Sequence, residues 1–459
     1  MDIIAVLPGL AALYIAWRHS PGKAFLNIYI PVLLLLPEYY RWIVPFLPDP
    51  TFSQAAIIPI ACVFLFREFR AWRFSLTDLF IFGFAFCVGY SEYRNAGYKE
   101  AQNLMFDMIA SVVLPYIAAK GLIEPNGLRV AFARRFVILL FAVSVISVFE
   151  FKFGMTPWQI SLNRLFPGQS DGWITTFRYG FARIAGPYGH AILAGLILVI
   201  GFRIQRWLEW SGYWEPAFRR IQWLKIPKAR LITLGLTAGI VMTLVRGPWL
   251  GGIVGAVFTA AGLVANRKRA LLLIGAAAVV IGVPAGTAFV VYASVGRAAA
   301  LSDSQETAAY RYELVQKYVD VAMDKSAFGW GRNTWPKIPG MPSIDNYYLL
   351  LALMHGLIAE SFLVAILLLM TVRLIRFDLG RPSPRTRGSS LGFTLAGIYV
   401  AFAITIATVY VGLTVLPVFA VITGWAEGYL LSGHAHEAFA TPSAPWASPK
   451  GFRFQRVMA

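Results

Sequence analysis

The sequence predicts an all-α fold, a polytopic transmembrane helix bundle of about 12–14 spans with a long helical loop on one face. Three observations lead there. Of 459 residues, 58% are hydrophobic and only 14% charged, too apolar a balance for the chain to cover itself with a polar surface. Apolar runs of roughly 20 residues, the length that crosses a hydrocarbon layer, recur from end to end. The basic residues, which give a net charge of +18, gather in every second connection.

In chain order, spans are expected near 2–17, 25–44, 51–67, 75–91, 103–122, 134–151, 186–204, 229–246, 248–266, 269–292, 345–374, 391–409 and 411–431. The connections after the third, fifth, seventh, ninth and eleventh runs are basic. Arg67, Arg70 and Arg73 begin the series, Arg267, Lys268 and Arg269 continue it, and Arg373, Arg376 and Arg381 come late in it. Positive charge stays on the cytoplasmic side of a membrane, so these connections are expected inside, together with the C-terminus. Arg18 and Lys23 follow the first run instead of preceding it, which argues for a first span rather than a cleaved leader. The same pattern accounts for the net charge without nucleic acid. Cys62 and Cys87 both lie inside apolar runs and suggest neither a disulfide framework nor a metal cluster.

Two of the outward connections are long, 152–185 and 293–344, and the second holds a helical pattern from Ala308 to Met323 with Leu314, Val315, Tyr318 and Val319 on one face. Long loops on a scaffold of spans tend to carry function. Segment 205–225 interleaves Trp207, Trp210, Trp214 and Trp223 with arginine and reads as an interfacial amphipathic helix. The tail 432–459 is rich in Ala, Pro and Ser and is expected to be disordered; His434 and His436 in it make a poor metal site.

Neither a G-x-x-x-x-G-K-[ST] loop nor an H-E-x-x-H motif is present, and no cofactor or metal is expected. What does stand out is arginine on the outer side. Arg246 sits in the tight turn LVRGPWLGG, Arg178 and Arg183 in FRYGFARIAGPYGH, and Arg311 in AYRYEL. Guanidinium groups stay charged and bind phosphate oxygens in pairs. The plain alternative is snorkelling, or an ion pair with Asp or Glu. Asp345 opens a long apolar run in SIDNYYLLLALMHGLIAES, where it could be a reactive carboxylate or a helix cap. Asn346 beside it could orient a sugar hydroxyl. Deeper in the same run, His355 and Glu360 are ionisable groups at membrane depth, suited either to function or to pairing between helices.

Three of these stretches resemble the O-antigen ligase and polysaccharide polymerase superfamily: VRGPWLGGIVGAVF at 245–258, YRYELVQKYVDVAMDKSAFGWGRNTW at 310–335 and DNYYLLLALMHGLIA at 345–359. RIAGPYGHAILAG at 183–195 is a further, looser likeness, so the resemblance covers roughly 180–360. It implies N-terminal spans over 1–151, a ligase-like module over 152–375, C-terminal spans over 376–431 and a tail from 432. It also implies a GT-C-like, metal-independent, inverting glycosyltransferase in a bacterial inner membrane, with its active site facing the periplasm. The donor would be an oligosaccharide on polyprenyl (undecaprenyl) diphosphate and the acceptor another lipid-linked unit. Arg246 and Arg183 would hold the diphosphate, with Arg178, Arg311, Asn346 and His190 adding contacts to it or to the glycan, and Asp345 would orient or deprotonate the acceptor. Ligases of this kind carry histidine where this chain has Asp345, which turns the expectation toward a polymerase of O-antigen or exopolysaccharide units. Transfer of finished glycan to lipid A core or to protein is the alternative, and a glycolipid flippase or transporter a further one. Membrane lipids and a chain-length regulator would be the partners, and nucleic acid would not.

Overall fold

The computed structural model describes residues 2–43, 48–69, 72–169, 175–215, 227–381, 390–412 and 414–432. Residues 433–459, with His434 and His436, and 216–226, the second half of the expected interfacial helix, lie outside the described residues. The fold is an all-α polytopic helix bundle. The first helices are α1 (Leu7–Arg18), α2 (Pro21–Ala24), α3 (Ile30–Leu35), α4 (Phe52–Arg67), α5 (Leu76–Ala96), α6 (Tyr98–Met108), α7 (Leu114–Leu122), α8 (Arg129–Phe153) and α9 (Pro157–Leu162). After a two-residue-stranded hairpin, β1 (Phe177–Arg178) and β2 (Phe181–Ala182), come α10 (Ala191–Trp210), α11 (Lys228–Met242), α12 (Arg246–Ala261), α13 (Arg267–Ala293), α14 (Asp303–Asp324), α15 (Tyr347–Leu379), α16 (Leu391–Ile406) and α17 (Leu416–Leu431).

Every expected span falls on a helix, with α2–α3 and α6–α7 each continuous through one π-type turn, at Phe25–Tyr29 and Ile109–Val113. Five are long and apolar enough to cross a membrane by length and composition alone: Tyr98–Leu122, Arg129–Phe153, Ala191–Trp210, Arg267–Ala293 and Tyr347–Leu379. The second expected span ends early, at Leu35. Leu36 is extended (φ −107°, ψ 135°) because Pro37 follows it, and the residue before proline is driven out of the helical region. The expected amphipathic helix over 205–225 is also corrected. Its first residues are the end of α10, and Trp207 is buried against Trp425 and Tyr213 instead of lying on a membrane surface.

The two ends of the bundle differ in charge. The basic connections all leave from one end, and several of their cations are tied inward. Lys120 meets Asp78 at 2.6 Å, Arg129 meets Glu124 at 2.8 Å and Arg373 meets Glu427 at 2.6 Å, each carboxylate being fully buried. Trp425 Nε1 donates to Glu124 at 2.9 Å, and Tyr116 donates to Asp78 at 2.5 Å. These pairs clamp α5, α7, α8, α15 and α17. Removing one partner would strand a buried charge, at about 3–5 kcal/mol.

The opposite end is organised by a break in α15. Gly356 has φ +81° and ψ 170°, a backbone conformation open only to glycine. The helical hydrogen bonds lost there are replaced by the connection after α14. Trp330 N donates to Leu353 O and Gly331 N to Met354 O, both at 2.8 Å, while Leu357 N donates to Ser326 O at 2.6 Å. Ser91 Oγ on α5 adds a bond to Met354 O at 3.1 Å. Backbone that is not helical is tolerated at membrane depth only where protein satisfies it, and here a loop does so. The fit leaves no room for a methyl group: a Cβ on Gly356 would stand 2.2 Å from Ala327 O, and one on Gly329 2.6 Å from Met354 O. Gly356→Ala is therefore expected to destabilise the protein by at least about 1–3 kcal/mol from backbone strain alone. Chemical unfolding in detergent checks this against Gly275→Ala on α13, where a Cβ meets nothing and little change is expected.

Candidate functional site

The site grows from the end of α11. A helix leaves its last carbonyls without intrahelical partners, and this one stops in a turn where Leu244 has φ +52°. Ile240 O accepts from Trp249 Nε1 at 2.9 Å and from Thr243 Oγ1 at 2.7 Å. Met242 O accepts from Ile184 N at 3.3 Å. Thr243 O accepts from Arg183 Nε at 3.4 Å and Leu244 O from Arg178 Nη1 at 2.8 Å. The β1–β2 hairpin and the strand of chain after it are thereby lashed to the α11–α12 turn. Glu150 on α8 fixes them from behind: its buried carboxylate accepts from Ala185 N and Gly186 N, both at 2.9 Å.

This lashing closes one wall of a cavity of about 1040 Å³ whose lining includes Arg178, Arg183, His190, Arg246, Arg311 and Asp345. The sequence places these residues in four separate stretches, and the fold brings them to one chamber. The starts of α10, α12 and α14 and the approach to α15 all line it. Helix N-termini carry partial positive charge and unpaired N–H groups, so their convergence makes the chamber attractive to anions. Arg246 is the first residue of α12, where a cation opposes the helix dipole. Among the described residues, none of the four arginines has a carboxylate within ion-pair distance, so the structural-pair alternative does not hold for them. Arg246 Nη1 reaches only Ser304 Oγ, at 3.2 Å, and Arg311 Nε is buried without a hydrogen-bond partner. Burial and then the neighbouring Arg178 push the Arg183 guanidinium below its ordinary value.

At the mouth of α15 the cap is Asn346, not Asp345. Asn346 Oδ1 accepts from Tyr348 N at 3.1 Å and Leu349 N at 3.3 Å, and Asn346 is absent from the cavity lining. Asp345 is left half-buried and facing the chamber. α14 holds it there, through the packing of Leu314 and Tyr318 against Ile344, Leu349 and Leu353. His190 caps α10 through its ring: Nδ1 accepts from Ile192 N at 3.2 Å, which leaves the proton of the neutral ring on Nε2. Burial, followed by Arg183, holds this imidazole below its ordinary value, and Asp345 pulls the other way. At neutral pH it is a hydrogen-bond donor rather than a base.

Residues 231–370 match the family model described as O-antigen ligase. The resemblance seen in the sequence is borne out over that region, and an O-antigen ligase-type function in a membrane protein is indicated. Among curated proteins, none matches the chain. The matched region takes in Arg246, Arg311 and Asp345, while Arg178, Arg183 and His190 lie before it.

The chamber also holds residues that sequence reasoning passes over. Tyr179, at the hairpin tip, has φ +55° and is followed by Gly180 at φ +80°, a turn of the type that joins tight hairpins. Tyr179 and Leu244 are the non-glycine residues with positive φ among the described residues, and both belong to this site. Such strain gathers where function fixes the backbone. The Tyr-Gly pair between short alternating residues is the available signal for Tyr179. Asp303 lines the chamber too, but an acidic residue in a first helical turn serves the dipole whether or not it faces a cavity. His355 and Glu360 are not in the chamber; His355 Nδ1 lies 3.3 Å from Ser91 Oγ and joins α15 to α5.

The cap assignment predicts opposite sensitivities. Asn346→Ala should lower unfolding stability by about 1 kcal/mol, whereas Asp345→Ala should stay within about 0.5 kcal/mol of the wild type. Denaturant titration of the purified protein decides between them. For His190, a folded-state pKa below the ordinary value favours the neutral ring. That contribution is present above the unfolded value, about pH 6.5, and is lost as pH falls through the lower folded one. His190→Asn keeps a capping side chain and should flatten the acid-side decline of melting temperature below about pH 6.5.

Proposed function

We propose that this protein is a polymerase of saccharide units carried on polyprenyl diphosphate, working on the periplasmic face of a bacterial inner membrane. The observation that carries the reading is the chamber itself, in which Arg178, Arg183, Arg246 and Arg311 gather opposite Asp345 with no carboxylate at ion-pair distance among the described residues. Cations brought together at helix N-termini repel one another unless an anion joins them, and a lipid diphosphate is an anion that arrives at this depth. The chamber also lies at the end of the bundle away from the basic connections, which supports an outward orientation.

In this reading the guanidinium groups hold the diphosphate of the donor. A hydroxyl of the acceptor glycan attacks the anomeric carbon from the side opposite the diphosphate. The new glycosidic C–O bond forms as the sugar–phosphate bond breaks, the bonding pair leaves with the phosphate oxygen, and the anomeric centre inverts. Asp345 takes the hydroxyl proton. The arginines favour the step because negative charge on the leaving oxygen grows as the bond lengthens. His190 Nε2–H and the Tyr179 ring would contact sugar. The carboxylate at 345, where resembling ligases carry histidine, supports polymerisation. The imidazole in the same chamber, His190, does not replace that histidine as a base, because its Nδ1 accepts from Ile192 N.

The test is turnover in liposomes, with purified protein and lipid-diphosphate-linked repeat units from its host. A ladder of longer glycans is expected. Arg246→Ala should lower kcat by about 10²–10³-fold, and Asp345→Asn by about 10²–10⁴-fold. No ladder with a competent donor, but glycan transferred when lipid A core is added, would replace polymerase by ligase.

A further inference from the structure

A second feature lies below the chamber and is not used by the reaction. α10, α11 and α12 enclose a groove of about 630 Å³, lined by apolar residues from Trp249 and Ile240 near the chamber to Ala260 at the basic end. At that end the groove meets Arg203. This side chain is only 8% exposed, and its Nε has no hydrogen-bond partner. No carboxylate is within ion-pair distance of it among the described residues. Glu209, two turns further along α10, is taken by Arg206 at 2.6 Å and by Thr233 at 2.8 Å. The ring of Phe202, 4.8 Å from the guanidinium, is an attractive face but not a counter-ion. An arginine this buried, facing an apolar groove, is costly unless something neutralises it.

We propose that this groove is a binding site for an anionic phospholipid of the cytoplasmic leaflet, with its phosphate on Arg203 and an acyl chain lying along α12. Depth supports the leaflet. Arg203 is twelve residues beyond the start of α10, or roughly 18 Å down the helix axis from the chamber end. It lies one turn before Trp207, at the end of the bundle that bears the basic connections. The guanidinium fork pairs with two phosphate oxygens. Charge supports the headgroup: Glu209 is committed to Arg206, so Arg203 stays positive without a protein counter-ion among the described residues, and this balance favours a lipid with net negative charge over a zwitterion whose own ammonium offsets its phosphate. The prenyl tail of a substrate could fill the apolar walls, but it brings no anion to Arg203. The bound lipid would wedge the α11–α12 hairpin that presents Arg246.

The experiment uses the full-length protein in detergent, exchanged with phosphatidylglycerol or phosphatidylcholine, with bound lipid counted by native mass spectrometry and melting temperature recorded. Phosphatidylglycerol should be retained about tenfold better than phosphatidylcholine, and Arg203→Gln should remove the preference. Ala260→Phe, which keeps Arg203 and fills the groove at an exposed position, should lower phosphatidylglycerol retention while leaving the melting temperature in phosphatidylcholine unchanged. Equal retention of the two lipids by the wild type would overturn the proposal. So would a preference that survives in both variants. Undecaprenyl phosphate displacing the lipid equally well in wild type and Arg203→Gln would assign the groove to a prenyl tail instead.

Discussion

The surplus carbonyl oxygens at the end of α11 are the constraint on which the chamber depends. A helix end must hand these groups to partners, and here the partners are a backbone N–H and two arginines from a hairpin far away in sequence. The arrangement does two things at once. It satisfies the helix end with positive charge, which the negative end of the dipole favours. It also places Arg178 and Arg183 beside Arg246, which begins the next helix. Each guanidinium has five donors and spends few of them on the protein, so the remainder face the cavity. Carbonyl oxygens can position a cation without neutralising it. A carboxylate in the same role would have removed the charge that the chamber concentrates.

A second constraint, the need to satisfy backbone at membrane depth, fixes the opposite wall. The break at Gly356 divides α15 into a short part next to the chamber and a long remainder, and the loop at 326–331 fills the break. That loop follows α14, and Arg332 just beyond it is held by Glu92 at 3.2 Å and Glu100 at 3.6 Å. The short half of α15 therefore cannot slide independently of α5, α6 and α14. Asp345 sits at its tip. The carboxylate is thus held by hydrogen bonds about three turns away, which is how a residue in a loop can be as well placed as one inside a helix.

Much of this was legible in the sequence, for reasons that differ by element. The spans were legible because lipid imposes length and apolarity on each of them separately, whatever their neighbours. The arginines of the chamber were legible because they fall outside the alternate connections in which the other basic residues gather. Their assembly into one chamber was not, since it depends on a two-residue-stranded hairpin whose pattern is too short to register. The cap at α15 was ambiguous because Asp and Asn are both good caps and stand side by side; only the direction of two backbone N–H groups separates them. Trp207 looked interfacial because tryptophan beside arginine is common at a membrane surface, yet packing against Trp425 outweighs that preference. The Gly356 break was hidden inside an unbroken apolar run, because glycine is frequent in membrane helices and hydropathy is blind to φ.

The pairing of Asp345 with His190 bears on the chemistry more than either residue alone. Both line the chamber, and Asp345 acts on the His190 imidazole against the effects of burial and of Arg183. The ring nitrogen that could act as a base is occupied by Ile192 N, so the imidazole can offer only its Nε2 proton without uncapping α10. In the proposed reaction the carboxylate is then the proton acceptor, and the donor N–H would orient the hydroxyl or bind a phosphate oxygen. If Asp345 became histidine, the acceptor would be a second imidazole among four guanidinium groups, whose field disfavours the protonated ring that must form. On the proposed reading, the positive field of the chamber serves anion binding, which suits a transfer whose leaving group is a diphosphate.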